Sequence, residues 1–137
     1  MGVHARGLAR MVLTALMDND NSYRRMAVKV SVDHPKENIS CIVLDGRLDV
    51  AGAQAADAEF NAAVAASPNV IVDLSKVPFI ASLGIRMLVA GAQSRTKAGG
   101  KMVLMSPDDL SRRILKTTGI DQLVPVCNGL EEALALF

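Results

Sequence analysis

The hydroxyl of Ser82 stands where a short apolar run meets a helix-forming segment, the position a hydrolase nucleophile takes. The surrounding residues argue against that chemistry. Ile80 occupies the place where a nucleophile elbow has glycine, and no histidine follows Ser82, so a Ser-His-Asp mechanism would have to borrow His34 from an early loop. The two cysteines, Cys41 and Cys127, each lie inside an apolar stretch and read as buried, reduced thiols. A zinc site needs several close ligands, and His4 and His34 are near neither cysteine. Gly99-Gly100-Lys101 is no phosphate-binding loop, because Arg95 sits where the earlier glycine belongs and Met102 replaces the hydroxyl. No strand-to-helix Gly-x-Gly-x-x-Gly exists either. The chain is therefore expected to be no enzyme and to hold no metal or cofactor.

Ser82 has a different chemical future as the target of another protein's chemistry. A hydroxyl at the start of a helix faces unpaired N–H donors and the positive end of the macrodipole. A phosphoryl group there could be held without unfolding the domain. The plain alternative is that Ser82 merely caps the helix, a common task for serine. Asp49 and Asp73 read first as caps as well, Asp49 for the next helix and Asp73 for its own loop through Ser75.

The elements that must position these residues are legible in the periodicity. Val28, Val30 and Val32 alternate with Lys29, Ser31 and Asp33, as in a half-buried edge strand, and 34–38 reads as a turn. Residues 39–44 form a second strand that Asp45-Gly46 closes, and a helix over 50–66 follows. Nine of its residues between 51 and 66 are alanine, so a neighbour can approach closely. Val70-Ile71-Val72 has the signature of a strand covered on both faces, with 73–81 a loop. A helix over 83–97 turns Ile85, Leu88, Val89 and Ala92 to the core, and Ala98-Gly99-Gly100 stops it. A strand at 101–105 precedes a helix capped by Ser106, with Pro107 in its first turn and Asp109 three residues on. Leu110, Ile114 and Leu115 face inward from that helix, and Gly119 ends it. A last strand at 123–126 leads to a final helix capped by Asn128, with Glu131 reaching back. The order β-β-α-β-α-β-α-β-α predicts an α/β fold: a mostly parallel sheet of four or five strands with an antiparallel edge strand, helices packed on it.

Two motifs in this frame resemble the STAS domain family of anti-sigma factor antagonists. The segment Asp73-Leu74-Ser75-Lys76-Val77-Pro78-Phe79-Ile80-Ala81-Ser82-Leu83-Gly84-Ile85 is similar to the family's Asp-Leu-Ser, an aromatic, an aliphatic, commonly Asp, then Ser, one residue and Gly-Leu or Gly-Ile. Upstream, Gly46-Arg47-Leu48-Asp49 matches its Gly-x-Leu-Asp. The resemblance spans residues 27–137 and implies that Ser82 is phosphorylated by an anti-sigma factor that is itself a GHKL-type Ser/Thr kinase. A PP2C-like phosphatase would reverse the step. It further implies that the unphosphorylated chain binds the anti-sigma factor and frees the sigma factor, through Asp49, Asp73, Ser75, Ala81, Ser82, Leu83 and Gly84. Two positions depart from the pattern: Ala81 stands where Asp is common, and Leu83 where many relatives carry a second hydroxyl. Two other readings remain open: a non-switching STAS subunit of a membrane lipid-transport ATPase complex, and a small-molecule or nucleotide-binding domain without a kinase partner.

Composition narrows the setting. A net charge of +1 supplies no field to recruit DNA or anionic lipid, and 3% aromatic residues supply no base-stacking platform. No apolar run reaches the ~20 residues of a membrane span, which points to a soluble, cytoplasmic protein. Residues 1–25 carry Arg6, Arg10, Arg24 and Arg25 against Asp18 and Asp20 and read as an extension outside the 26–137 domain. The extension is either a short amphipathic helix over 8–17 with a polar linker at 18–22, a loosely ordered leader, or a mis-assigned start ahead of Met26. Polar residues alternating through the first strand favour a monomer over an edge-to-edge dimer.

Overall fold

A computed structural model describes residues 28–137, so the extension and the expected helix over 8–17 lie outside the described residues. Five strands form one sheet in the order β1-β2-β3-β4-β5: β1 Lys29–Lys36, β2 Ile39–Asp45, β3 Asn69–Lys76, β4 Lys101–Met105 and β5 Val126–Cys127. β1 pairs antiparallel with β2, and every later pair is parallel, as the element order predicts. The helices are α1 Val50–Ala65, α2 Ser82–Lys97, α3 Asp109–Thr117 and the short α4 Leu130–Leu134.

Strand alternation sorts the aliphatic residues onto two faces. Ile42, Leu44, Val70, Val72, Leu74, Met102 and Leu104 enter the main core with Phe60 and Val64 of α1 and Met87 and Leu88 of α2. Ile39, Cys41, Ile71, Val103, Met105 and Cys127 face the other way, where Ala133 and Leu134 of α4 cover part of the sheet. The alanine-rich stretch does let α1 and α2 pack side by side, on the same core. Both cysteines are buried and free, as their apolar surroundings suggest.

Several boundaries differ from expectation, each for a local reason. β1 runs on through His34 to Lys36, with an irregularity between Asp33 and Lys36 that holds Pro35. An edge strand tolerates that proline because the missing N–H can face solvent. β3 extends to Lys76 because Asp73 lies in register between Val43 and Met105, and Leu74 is fully buried. The core stripe of α2 is Gly84, Met87, Leu88, Gly91 and Arg95, while Ile85, Val89 and Ala92 only flank it. α3 is capped by Asp108, which accepts from the Ser111 N–H at 2.8 Å, not by Ser106. Ser106 instead takes a left-handed backbone (φ 56°) and donates its hydroxyl to the Asn128 carbonyl at 3.0 Å. Leu110 is exposed, and the inward place goes to Ser111, whose hydroxyl donates to the Val77 carbonyl at 2.9 Å. The last strand falls at 126–127 after a 3-10 turn at Ile120–Gln122, leaving Leu123 exposed. Gly129 precedes α4, and Glu132 rather than Glu131 reaches back to accept from the Asn128 N–H at 3.1 Å.

Both ends of the described chain are placed by packing. Val28 lies against the first turn of α1, since a Cβ on Gly52 would come 2.9 Å from its methyl group. At the other terminus, Lys101 Nζ donates to the Leu136 carbonyl at 2.9 Å, tying the C-terminus to the start of β4.

Candidate functional site

The two motifs singled out in the sequence are laced together by backbone hydrogen bonds. The Gly46 N–H donates to Lys76 at 3.0 Å, the Leu48 N–H to Phe79 at 2.9 Å, and the Ala81 N–H back to Leu48 at 2.7 Å. Leu48 and Ile80 thereby form a parallel bridge beyond the ends of β2 and β3. Both side chains are buried, which anchors the two loops to the main core. The residues between them, Arg47, Asp49, Phe79 and Ala81, surround the starts of α1 and α2.

Asp49 caps α1 as expected: one carboxylate oxygen accepts from the Gly52 N–H at 2.8 Å. Its other oxygen faces Arg47 Nε at 3.7 Å. The Arg47 guanidinium also lies 4.8 Å above the Phe79 ring, a cation–π distance that fixes it over the loop leading to Ser82.

α2 starts differently. Its cap residue is Ala81, which has no side chain to accept a hydrogen bond, and Ser82 is the first helical residue rather than the cap. The capping role considered for Ser82 is thus not the one it takes. A cap hydroxyl folds back onto the first turn, whereas at the first helical position the Ser82 side chain is exposed. Gly84 is buried against Leu48: a Cβ there would sit 2.9 Å from both the Leu48 Cβ and its carbonyl oxygen. A side chain at 84 would push the two laced loops apart. Leu83 is half-buried in a shallow groove of about 380 Å³ between α1 and α2, with Ala53, Gln54, Asp57, Arg86 and Met87.

Not every expected residue joins this surface. Asp73 caps its own turn, accepting from the Ser75 N–H at 2.9 Å, as read from the sequence. Its side chain, however, lines a separate groove with Asp33, His34, Cys41, Val43 and Met105, on the face opposite the main core. Asp49 and Asp73 therefore do not converge on Ser82, because residue parity along β3 sends Asp73 to the other side of the sheet. Ser75 is exposed at the end of β3. Sequence reasoning gave no role to Arg47, Phe79 or Arg86; the charged residue in the variable place of Gly-x-Leu-Asp and the arginine four residues after Ser82 were the available signals.

Both thiols are held in the protonated form. Burial, then the carboxylates of Asp73 and Asp33, push the Cys41 thiol up from 9.0 to about 11. Burial likewise raises Cys127, against a partly offsetting hydrogen bond to Gly129. Among the described residues no group of three or more His, Cys, Asp or Glu side chains could hold a metal ion, and no helix is long and apolar enough to cross a membrane.

Comparison with known proteins agrees with this architecture. The family model for the STAS domain matches residues 24–133. BtrV of Bordetella bronchiseptica, a proposed anti-sigma factor antagonist, is 30% identical over 100 residues, covering 72% of this chain and 84% of that protein. The crystal structure of an anti-sigma factor antagonist from Mycobacterium paratuberculosis is 27% identical with a TM-score of 0.71, over 80% of this chain and 92% of that one. A STAS domain protein from Planctomyces limnophilus is also 27% identical, with a TM-score of 0.64 over 80% of this chain and 97% of that one.

Proposed function

Because the chain belongs to the STAS domain family, we propose that it is an anti-sigma factor antagonist switched by phosphorylation of Ser82. In the cytoplasm, the unphosphorylated form binds an anti-sigma factor of the GHKL Ser/Thr kinase type and so frees the sigma factor. The kinase transfers the γ-phosphoryl group of ATP to Ser82 Oγ: the new O–P bond forms, the bond to ADP breaks, and the hydroxyl proton leaves. A PP2C-like phosphatase returns the serine by hydrolysis.

The observation that carries this reading is the exposed Ser82 side chain on the first residue of a helix whose cap offers no acceptor. A phosphoryl group there meets open N–H donors and brings about −1.5 to −2 charges. Docking a partner over Ser82 would strip that charge of water. A cost of about 1–3 kcal/mol, or about 5–150-fold in affinity, is enough for a switch. Asp49, Ala81, Leu83 and Gly84 share this surface, Ser75 flanks it, and Asp73 serves its own turn. Ala81, where an aspartate is common in the family, leaves the acceptor serine in place and removes a competing negative charge.

Incubation with the cognate kinase and ATP, followed by intact-mass measurement, tests the assignment. Wild type should gain one phosphoryl group and Ser82→Ala none. A wild-type chain that never gains phosphate, or a Ser82→Ala chain that still does, overturns it. Co-purification of an ATPase subunit, indifferent to Ser82→Asp, would support the lipid-transport reading instead.

A further inference from the structure

We infer that a phosphoryl group on Ser82 is held by two arginines, Arg47 from the loop after β2 and Arg86 from the next turn of α2. The inference rests on Ser82 being the phosphoacceptor and adds how this chain receives the charge.

Arg86 lies four residues after Ser82 on the same helix, so the two share a face with their Cβ atoms about 5–6 Å apart. Helical side chains lean toward the helix N-terminus, the direction in which Ser82 lies from Arg86. An acidic group at the earlier position and a cation at the later one is the favourable order along a helix. Arg86 is exposed at the rim of the groove that Leu83 lines, and the Arg47–Asp49 contact is the ion pair among the described residues, so the Arg86 guanidinium is uncommitted there.

Arg47 approaches from the neighbouring loop. The Leu48–Ala81 hydrogen bond holds its backbone beside the start of α2, and stacking on Phe79 holds its guanidinium over the preceding residues. Its contact with Asp49 is a single one at 3.7 Å through Nε, and Asp49 already uses its other oxygen as the α1 cap. The terminal nitrogens of Arg47 thus present a fork that suits a phosphate, and a doubly charged group competes well against one long contact.

Other charged groups at this end of the sheet oppose or dilute the pair. Asp49 faces Arg47, Asp57 lines the Arg86 groove, Asp108 and Asp109 begin α3, and Asp45 and Lys76 lie across from each other at the strand ends. The arginines must therefore be tested by removing them rather than by an absolute value.

Phosphoserine placed genetically at position 82 of the full chain makes the test independent of any kinase. Its second ionisation, about 6 when unperturbed, is followed by ³¹P NMR titration. Wild type should titrate below that value. Arg47→Ala and Arg86→Ala should each move the midpoint up by about 0.3 unit or more, and together by more. Arg86→Lys, which keeps the charge, should recover most of its share, and Lys116→Ala, on α3, should change nothing. A double variant whose phosphoserine titrates with that of wild type overturns the inference. Failure of Ser82 as acceptor would appear in the kinase assay and leave this titration to stand or fall by itself.

Discussion

At the start of the parallel strands, most polar groups find their partners inside the chain, with the buried Arg95 Nε left unpartnered among the described residues. The fully buried Ser40 hydroxyl lies within hydrogen-bonding distance of His34 Nδ1 (3.3 Å) and of the Ser67 hydroxyl. Arg95, nine-tenths buried, donates to the Ser67 carbonyl at 2.8 Å and to the Ser94 hydroxyl at 3.1 Å. Among the described residues no carboxylate is bonded to it; the Ser67 carbonyl just past the end of α1 takes the charge, as helix C-termini favour. Asn69 closes the edge by accepting from the Lys101 N–H at 3.1 Å. At the other end of the same strands, Ala81 offers no cap, Ser82 is exposed, and Arg47 makes one long ionic contact. The first end is closed on itself and is structural. The second is held rigid by backbone bonds while its side chains stay available, which is what a docking surface needs.

This contrast can be broken at the closed end with the largest effect. Arg95→Ala should lose about 3 kcal/mol of stability in urea unfolding, because the Ser67 carbonyl loses its charged donor and a cavity opens beneath α2. The same variant should leave phosphorylation of Ser82 intact under native conditions, since Arg95 and Ser82 lie at opposite ends of α2; a parallel loss of phosphorylation in folded protein would merge them. At the open end, Ala81→Asp should raise stability by about 1 kcal/mol by supplying the missing cap. Its carboxylate would also repel a phosphoryl group, so installing phosphoserine at 82 should stabilise Ala81→Asp less than wild type in paired thermal melts. Equal gains would show that the cap and the phosphate do not compete.

The last effect, confined to alkaline pH, is a signature of the buried thiol on the opposite face of the sheet. The Cys41 thiol is raised from 9.0 to about 11 in the folded chain, so between those values the folded state holds a proton that the unfolded state has released. Stability therefore falls as pH rises through that window and is unaffected by Cys41 below it. Cys41→Ala should flatten this part of a stability-versus-pH curve measured by denaturation, and an unchanged slope would place the titration elsewhere.

The sequence carried the topology because strand and helix periods are strong where both faces are apolar, as at Val70-Ile71-Val72 and 101–105. It misplaced ends wherever a polar residue served the backbone. Asp73, Ser75 and Lys76 look like loop and are strand, because paired neighbours rather than their own side chains hold them there. Ser106 looks like a cap, but the chain turns at it and Asp108 does the capping two residues later. Leu110 and Ser111 exchange inside and outside because one carbonyl, that of Val77, needed a donor. At the site, Ser82 as phosphoacceptor and Gly84 were singled out through the family resemblance, while the Asp49 cap was legible from the residues themselves. The lacing of the two loops was not, since the bonds from Leu48 to Phe79 and Ala81 join backbones about thirty residues apart and leave no mark on side-chain type. Nor was the side of the sheet to which Asp73 points.

The antiparallel first strand has a practical consequence for anyone who tethers this protein. Lys29 lies across from Asp45, and Val28 touches the turn that Asp49 caps, so the start of β1 lies beside the open end. The bond between Lys101 and Leu136 holds the tail after α4 at the closed end. A label or surface linkage attached at Leu136 or Phe137 keeps clear of Ser82, whereas one attached at Val28 or Lys29 shares its doorway.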